Sequence, residues 1–206
     1  MNILYRRTWL FIIVCVMTIT AWAANPLPLH MLETSANNIL HTLKDHQADL
    51  HQQHEIIYRA VAQYMLPNVD VDGMARSVLG QQIWSHATMD ERAQFAQAFT
   101  RLIIRTYAAP LAEYTGETVK FLPIRSTNLN VRFLKVNSII TRPNGAVIPL
   151  SYNLVSKNGQ WKIYDLSVEG ISLLQSFKSQ FAQVLQTSNM HDLVAAMNRR
   201  YKAQAS

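Results

Sequence analysis

Hydrophobic positions recur along this chain first at helical spacing, then at strand spacing, then at helical spacing again. From Thr34, the residues Ile39, Leu40 and Leu43 share one face of a segment that ends near Asp49, with Thr34 or Ser35 as its cap. Asn25-Pro-Leu-Pro28 reads as a short linker ahead of it. Ile56, Ile57, Ala60, Val61 and Tyr64 mark a second helix over Glu55 to Met65, which Pro67 stops. Asp70-Val-Asp72 caps a third through Met74, Val78 and Leu79, and Gly80 stands where a left-handed residue would end it. Thr88 and Glu91 form a capping box that opens the longest helix, with the stripe Phe95, Phe99, Leu102, Ile103, Thr106 and Tyr107. Pro110 must kink or end that helix, and Gly116 marks the exit.

Beyond Gly116 the period falls to two for about fifty residues. Val119, Phe121 and Pro123 trace a first strand, and Leu129, Val131 and Phe133 alternate with Asn130 and Arg132 in a second that runs on to Ile140. Pro143-Asn144-Gly145 predicts a hairpin turn; Ile148, Leu150, Tyr152 and Leu154 share one face of a third strand; Asn158-Gly159 turns the chain into a fourth at Trp161. Turns this short force antiparallel neighbours. Pro149 removes a ladder donor, so a bulge is expected there.

In the fourth strand Trp161 and Ile163 alternate with Lys162, and after a phase change at Tyr164 and Asp165, Leu166 and Val168 alternate with Ser167 and Glu169. Such a slip fits a β-bulge or burial of both faces. Gly170 breaks the strand, Ser172 and Gln175 offer a second capping box, and Leu174, Phe177, Phe181, Val184 and Leu185 resume helical spacing. Ser188 or Asn189 caps a last helix through Leu193, Val194 and Met197. The expected fold is α+β: N-terminal helices, a four-stranded antiparallel meander, and flanking helices that take its apolar face.

The first residues add a compartment. Arg6 and Arg7, the apolar run from Thr8 to Thr20 and the small-x-small site Ala21-Trp22-Ala23 are arranged as a secretory signal peptide, with cleavage expected after Ala23. The run is short of the roughly 20 residues a membrane helix needs. Residues 24–206 are then expected to form a single domain, large enough for a full hydrophobic core. The one cysteine, Cys15, lies in the apolar run, so a processed chain has no disulfide, no thiol nucleophile and no acylated cysteine. The formal charge is +6, and loss of Arg6 and Arg7 lowers it by two. For an exported chain that excess points to anionic lipid surfaces or to plain solubility, and not to nucleic acid.

Histidines invite a metal reading. His41, His46, His51 and His54 fall at intervals of five, five and three, so only His51 and His54 can share a helical face. His54-Glu55 begins like a zinc protease motif, but Tyr58 stands in the second histidine position. No metal site is expected.

Four separated stretches carry a resemblance. They are Trp161 to Leu174 (WKIYDLSVEGISLL) with the FKSQF that follows at Phe177; Leu66 to Gly80 (LPNVDVDGMARSVLG) with Trp84 and the Thr88-to-Arg92 helix start; Leu102-Ile-Ile-Arg-Thr-Tyr107 with Leu111-Ala-Glu-Tyr114; and Pro149-Leu-Ser-Tyr152. In their order along the chain they resemble the MlaC family, also called toluene-tolerance or Ttg2-type auxiliary proteins, which are periplasmic phospholipid carriers. Pro110, inside the family's long helix, and Ile83, where an aromatic is commoner, depart from the pattern. The resemblance implies a cystatin/NTF2-like fold with a mixed sheet and helices around a lipid pocket. It implies phospholipid as the bound ligand, with no cofactor. It further implies a shuttle between an outer-membrane lipoprotein/porin complex and an inner-membrane ABC transporter complex, maintaining outer-membrane lipid asymmetry.

With that implication, the apolar faces become candidates for a lipid-binding lining: Phe99, Leu102 and Ile103 on the long helix; Val131 and Phe133 on the second strand; Ile148, Leu150, Tyr152 and Leu154 on the third; and Val168, Ile171 and Leu174 on the last strand and helix. A head group would sit at the mouth near Arg132 or Lys135. Two other readings share these features. A periplasmic chaperone or adaptor would use the same greasy groove for protein surfaces. An NTF2-like isomerase or dehydratase would need an acid and a base, for which Asp165 and Glu169, four apart on the last strand, are the candidates. No histidine or tyrosine pair is placed beside them, so Asp165 is expected to satisfy backbone donors near the bulge and Glu169 to serve the turn. No catalytic residue is assigned, and an enzyme is not expected.

Overall fold

A computed structural model describes residues 28–124 and 131–203. The expected signal peptide, and Leu129 and Asn130 of the expected second strand, lie outside the described residues. Helix α1 spans Pro28–Asp45, so Pro28 opens a helix and does not close a linker. Its fixed φ and missing N–H suit the first turn, where the amides are unpaired anyway. Thr34 and Ser35 therefore lie inside α1, and Ser35 Oγ donates back to Met31 O at 2.9 Å where a cap had been expected.

Helix α2 is His54–Tyr64, followed by a 3-10 turn at Leu66–Asn68, and α3 is Val71–Leu79, capped by Asp70 Oδ1 accepting from Gly73 N at 3.1 Å. Gly80, at φ +80°, ends α3 and at once begins a short unforeseen helix, α4, Gln81–His86. Helix α5 is Met89–Ala108, with both halves of the capping box made: Glu91 N donates to Thr88 Oγ1 at 3.2 Å and Thr88 N to Glu91 Oε2 at 2.8 Å. It stops before Pro110, which falls in a 3-10 turn at Ala109–Glu113. Helices α6, Leu173–Leu185, and α7, Met190–Ala203, close the chain, the first capped by Ser172 and the second by Asn189.

The sheet has five strands where four were expected: β1 Thr118–Phe121, β2 Phe133–Thr141, β3 Val147–Lys157, β4 Gln160–Val168 and β5 Ile171–Ser172, in that spatial order. All pairs are antiparallel, so the mixed sheet is corrected; the parallel element is an isolated bridge between Val69 and Ile163. The extra strand comes from Glu169-Gly170, whose φ values of +51° and +84° match the two-residue hairpin geometry also seen at Asn158-Gly159. Gly170 is a turn residue and not a simple strand break.

Pro149 makes no bulge against β2; the register runs evenly through Ile139 opposite Pro149. A strand residue points its N–H and C=O the same way. Pro149 O accepts from Glu169 N at 2.9 Å, so its missing donor faces the end of β4, where the ladder stops. The bulge lies in β4 instead: Asn153 pairs with Asp165 and Leu154 with Ile163, which leaves Tyr164 over. That extra residue lets Ile163 and Leu166 both face inward.

Buried side chains form three clusters. One joins α3, α5, α6 and α7 through Met74, Phe95, Phe99, Phe177 and Phe181; a second joins α1 to the sheet through Leu32, Val136, Tyr152, Leu154 and Ile163; a third joins α1, α2 and the end of α5 through Leu43, Ile57 and Ala108.

Candidate functional site

A cavity of about 330 Å³ lies where the three clusters meet. Helix α1 gives it Ala36, Ile39, Leu40 and Leu43; α2 and the turn after it give Val61, Met65, Leu66 and Val69; α3 gives Val71 and Met74. Helix α5 runs along it with Phe99, Thr100, Ile103, Ile104, Tyr107 and Ala108, and the start of α6 adds Leu173. The sheet closes it with Val119, Ile140, Ile148, Leu150, Tyr152, Ile163 and Leu166. These positions follow from pairing: Val119 stands opposite Ile140, Ile140 opposite Ile148, and Tyr152 opposite Leu166, all on one face.

The walls are almost wholly hydrocarbon. Met74, Phe99 and Leu173 are buried, whereas Pro110 and Arg142 are exposed, which sets the mouth at the 3-10 turn after α5 and the β2–β3 turn. Among the described residues, Arg142 is the one cation lining it and Glu117 the one anion. Burial pushes Glu117 upward, but hydrogen bonds from Thr115 and neighbouring backbone outweigh it and hold the carboxyl below the ordinary glutamate range. Burial pushes the phenols of Tyr107 and Tyr152 above theirs, as an apolar surrounding requires of a group that would become charged.

Of the expected lining, Phe99, Ile103, Ile148, Leu150 and Tyr152 face the cavity. The others stand elsewhere. Leu102 and Leu174 pack in the helical cluster, and Leu154 and Val131 belong to the cluster under the sheet. Val168 is half-buried outside the lining. Phe133 is 55% exposed and Ile171 65% exposed. For Phe133 the reason is phase: β2 starts at Phe133 and buries Leu134, Val136 and Ser138, the opposite parity to the Val131-Phe133 alternation that precedes it. Ile171 sits in the β4–β5 hairpin, one residue past its turn. Arg132 and Lys135 are exposed and away from the mouth, with Arg132 over the Phe133 ring at 5.5 Å.

The lining from α1 and α2 went unread because a helical stripe looks the same whether it meets a solid core or a void. Glu117 and Arg142 each border a turn signal, Gly116 and Pro143-Asn144-Gly145. The pairing of Thr118 with Thr141 would have placed them face to face.

Neither acid candidate reaches the cavity. Asp165 is buried and accepts from Ser172 Oγ at 2.8 Å, Leu174 N at 3.1 Å and Asn153 Nδ2 at 3.3 Å, so it ties β4 to the start of α6; one of its donors is backbone, and Asn153 stands beside the bulge. Glu169 is exposed in its turn. His41 and His51 lie on the surface beside Asp45 and Glu113, and among the described residues no three histidines, cysteines or carboxylates converge.

Comparison with known proteins gives concordant findings. The family model described as "MlaC protein" matches residues 33–199. The chain is 27% identical over 166 residues to the toluene tolerance protein Ttg2D of Pseudomonas putida, covering 81% of this chain and 76% of that one. It is 23% identical over 206 residues to the intermembrane phospholipid transport system binding protein MlaC of Haemophilus influenzae, covering 97% and 95%. Its fold superposes with a TM-score of 0.77, at 26% identity, on a phospholipid-binding protein of Ralstonia solanacearum solved in complex with a phospholipid, covering 85% of this chain and 97% of that one.

Proposed function

Because this chain belongs to the MlaC family, we propose that it binds phospholipid in the cavity and carries it through the periplasm. The observation that carries the reading is a hollow of about 330 Å³, walled by apolar side chains from helices and sheet, with charge only at its rim. A buried methylene is worth about 0.8 kcal/mol, so exposing a tail of about sixteen carbons to water costs on the order of 10 kcal/mol. A carrier removes that barrier by offering an apolar lining that it does not show to solvent. Phe99, Ile103, Ile148, Leu150 and Tyr152 would hold the tails, and the head group would remain at the Glu117–Arg142 rim.

The chain would then shuttle phospholipid between an outer-membrane lipoprotein/porin complex and an inner-membrane ABC transporter complex, supporting outer-membrane lipid asymmetry. Export with removal of residues 1–23 would bring it there; no described helix is long and apolar enough to cross a membrane.

Lipid extraction tests this. The protein is secreted with its own N-terminal segment, purified, and its extract analysed by mass spectrometry. The expected result is at least about one phospholipid per chain and an intact mass lacking residues 1–23. An extract without phospholipid overturns carriage, a heterogeneous set of bound polypeptides favours the chaperone, and retention of Met1 to Ala23 overturns the processing.

A further inference from the structure

The rim of the cavity sets two opposite charges against each other. Thr118 and Thr141 form the end rung of the β1–β2 ladder, so Glu117 and Arg142 face one another just beyond it. Each is fixed from behind. Arg142 opens a tight hairpin in which its carbonyl accepts from Gly145 N at 2.9 Å and its N–H donates to Ala146 O at 2.9 Å, with Gly145 at φ +83°. Glu117 is held by Thr115, whose N–H donates to Oε2 at 2.8 Å and whose hydroxyl donates to Oε1 at 3.3 Å. Gly116, at φ +114°, takes a backbone conformation that other residues rarely adopt, and it sits beside the second turn, where a Cβ would make only an ordinary contact with Pro143 Cγ at 3.9 Å. Arg142 Nε stands 3.9 Å from Glu117 Oε1, near enough for an ion pair but too far for a hydrogen bond. Glu117 therefore stands beside the guanidinium without taking a hydrogen bond from it.

We propose that this pair reads the head group: Arg142 takes the phosphodiester oxygens, Glu117 takes a head-group ammonium, and amine-bearing zwitterionic phospholipid is selected over anionic phospholipid. The proposal rests on the phospholipid-carrier reading and adds the substrate class. The planar guanidinium fork matches two phosphate oxygens. A phosphodiester approaching Arg142 must also approach the Glu117 carboxylate, which repels it. A zwitterionic head group brings its own ammonium to that carboxylate, whereas a phosphoglycerol head group has nothing to offset the repulsion. Arg142 is 46% exposed, so water screens the effect and the preference is modest, about two- to fivefold.

The test loads the purified protein from vesicles of equimolar phosphatidylethanolamine and phosphatidylglycerol and measures both lipids in the re-isolated protein by mass spectrometry. The expected bound ratio favours phosphatidylethanolamine by about two- to fivefold. Glu117→Gln should bring the ratio back to that of the vesicles, and Arg142→Ala should lower the retained amount of both lipids, with partial rescue by Arg142→Lys. A native protein that carries the two lipids in the vesicle ratio overturns the head-group assignment, as does a bias that survives Glu117→Gln. Total lipid separates the two levels: native protein without phospholipid sinks carriage itself, whereas loaded protein without bias sinks only the role of the rim.

Discussion

Asp165 has the residue types around it that make a carboxylate structural. Ser172 Oγ, Leu174 N and Asn153 Nδ2 all donate to it, so removing the side chain orphans three donors at a buried joint. Each donor left without a partner costs about 1–3 kcal/mol, part of which entering water returns. Asp165→Ala is therefore expected to lower unfolding free energy by roughly 2–4 kcal/mol, measured by urea denaturation, while the folded fraction still takes up phospholipid. Loss of uptake with unchanged stability would contradict a structural role. Glu117 makes a pH prediction. Its folded pKa is depressed below the unfolded value, so its stabilisation is present above the ordinary glutamate range and disappears as pH falls through the folded value. Wild type should exceed Glu117→Gln in thermal midpoint at neutral pH, and the gap should close in acid. At this scale the sequence revealed that Asp165 was structural but not what it bonds. Its partners lie across β3 and past the β4–β5 turn, and that turn was unread.

Elements with self-contained end signals were legible, and those that depend on neighbours were not. Helix α5 carries its own start, Thr88 and Glu91, and its own stop before Pro110, and both held. Thr88→Ala removes the acceptor for Glu91 N and should cost about 1 kcal/mol, seen as a lower urea midpoint at unchanged slope. In β4 the phase slip marked the bulge at Tyr164 correctly, because a displaced alternation is a local signal. The same reasoning misplaced a bulge at Pro149. A proline perturbs a ladder only if its nitrogen faces a partner strand, and which strand it faces is set by pairing, not by local sequence. Helix α4 and strand β5 were missed for a related reason. Six residues and two residues are too few to show a period, and each is held by what adjoins it: α4 by the left-handed Gly80, β5 by the Glu169-Gly170 turn.

At the scale of the whole molecule, the property that matters is an absence of packing, which composition and periodicity do not encode. Leu102 and Ile103 are adjacent on α5 and alike in size, yet Leu102 is 2% exposed within the helical cluster and Ile103 faces the cavity. Packed interiors do not accept added volume, and overpacking costs about 1–3 kcal/mol or more. A void accepts it at little cost. Leu102→Trp should therefore destabilise the protein by at least about 2 kcal/mol, whereas Ile103→Trp should change unfolding free energy by less than about 1 kcal/mol and reduce the phospholipid that copurifies. Denaturation of delipidated protein gives the first comparison and mass spectrometry of extracts the second. Equal destabilisation by the two substitutions would mean that the space beside Ile103 is filled in solution, and full lipid occupancy of Ile103→Trp would mean that the tails lie elsewhere. The opposite pairing of effects, a tolerated tryptophan that displaces lipid next to an untolerated one, follows only if the three clusters meet around a hollow.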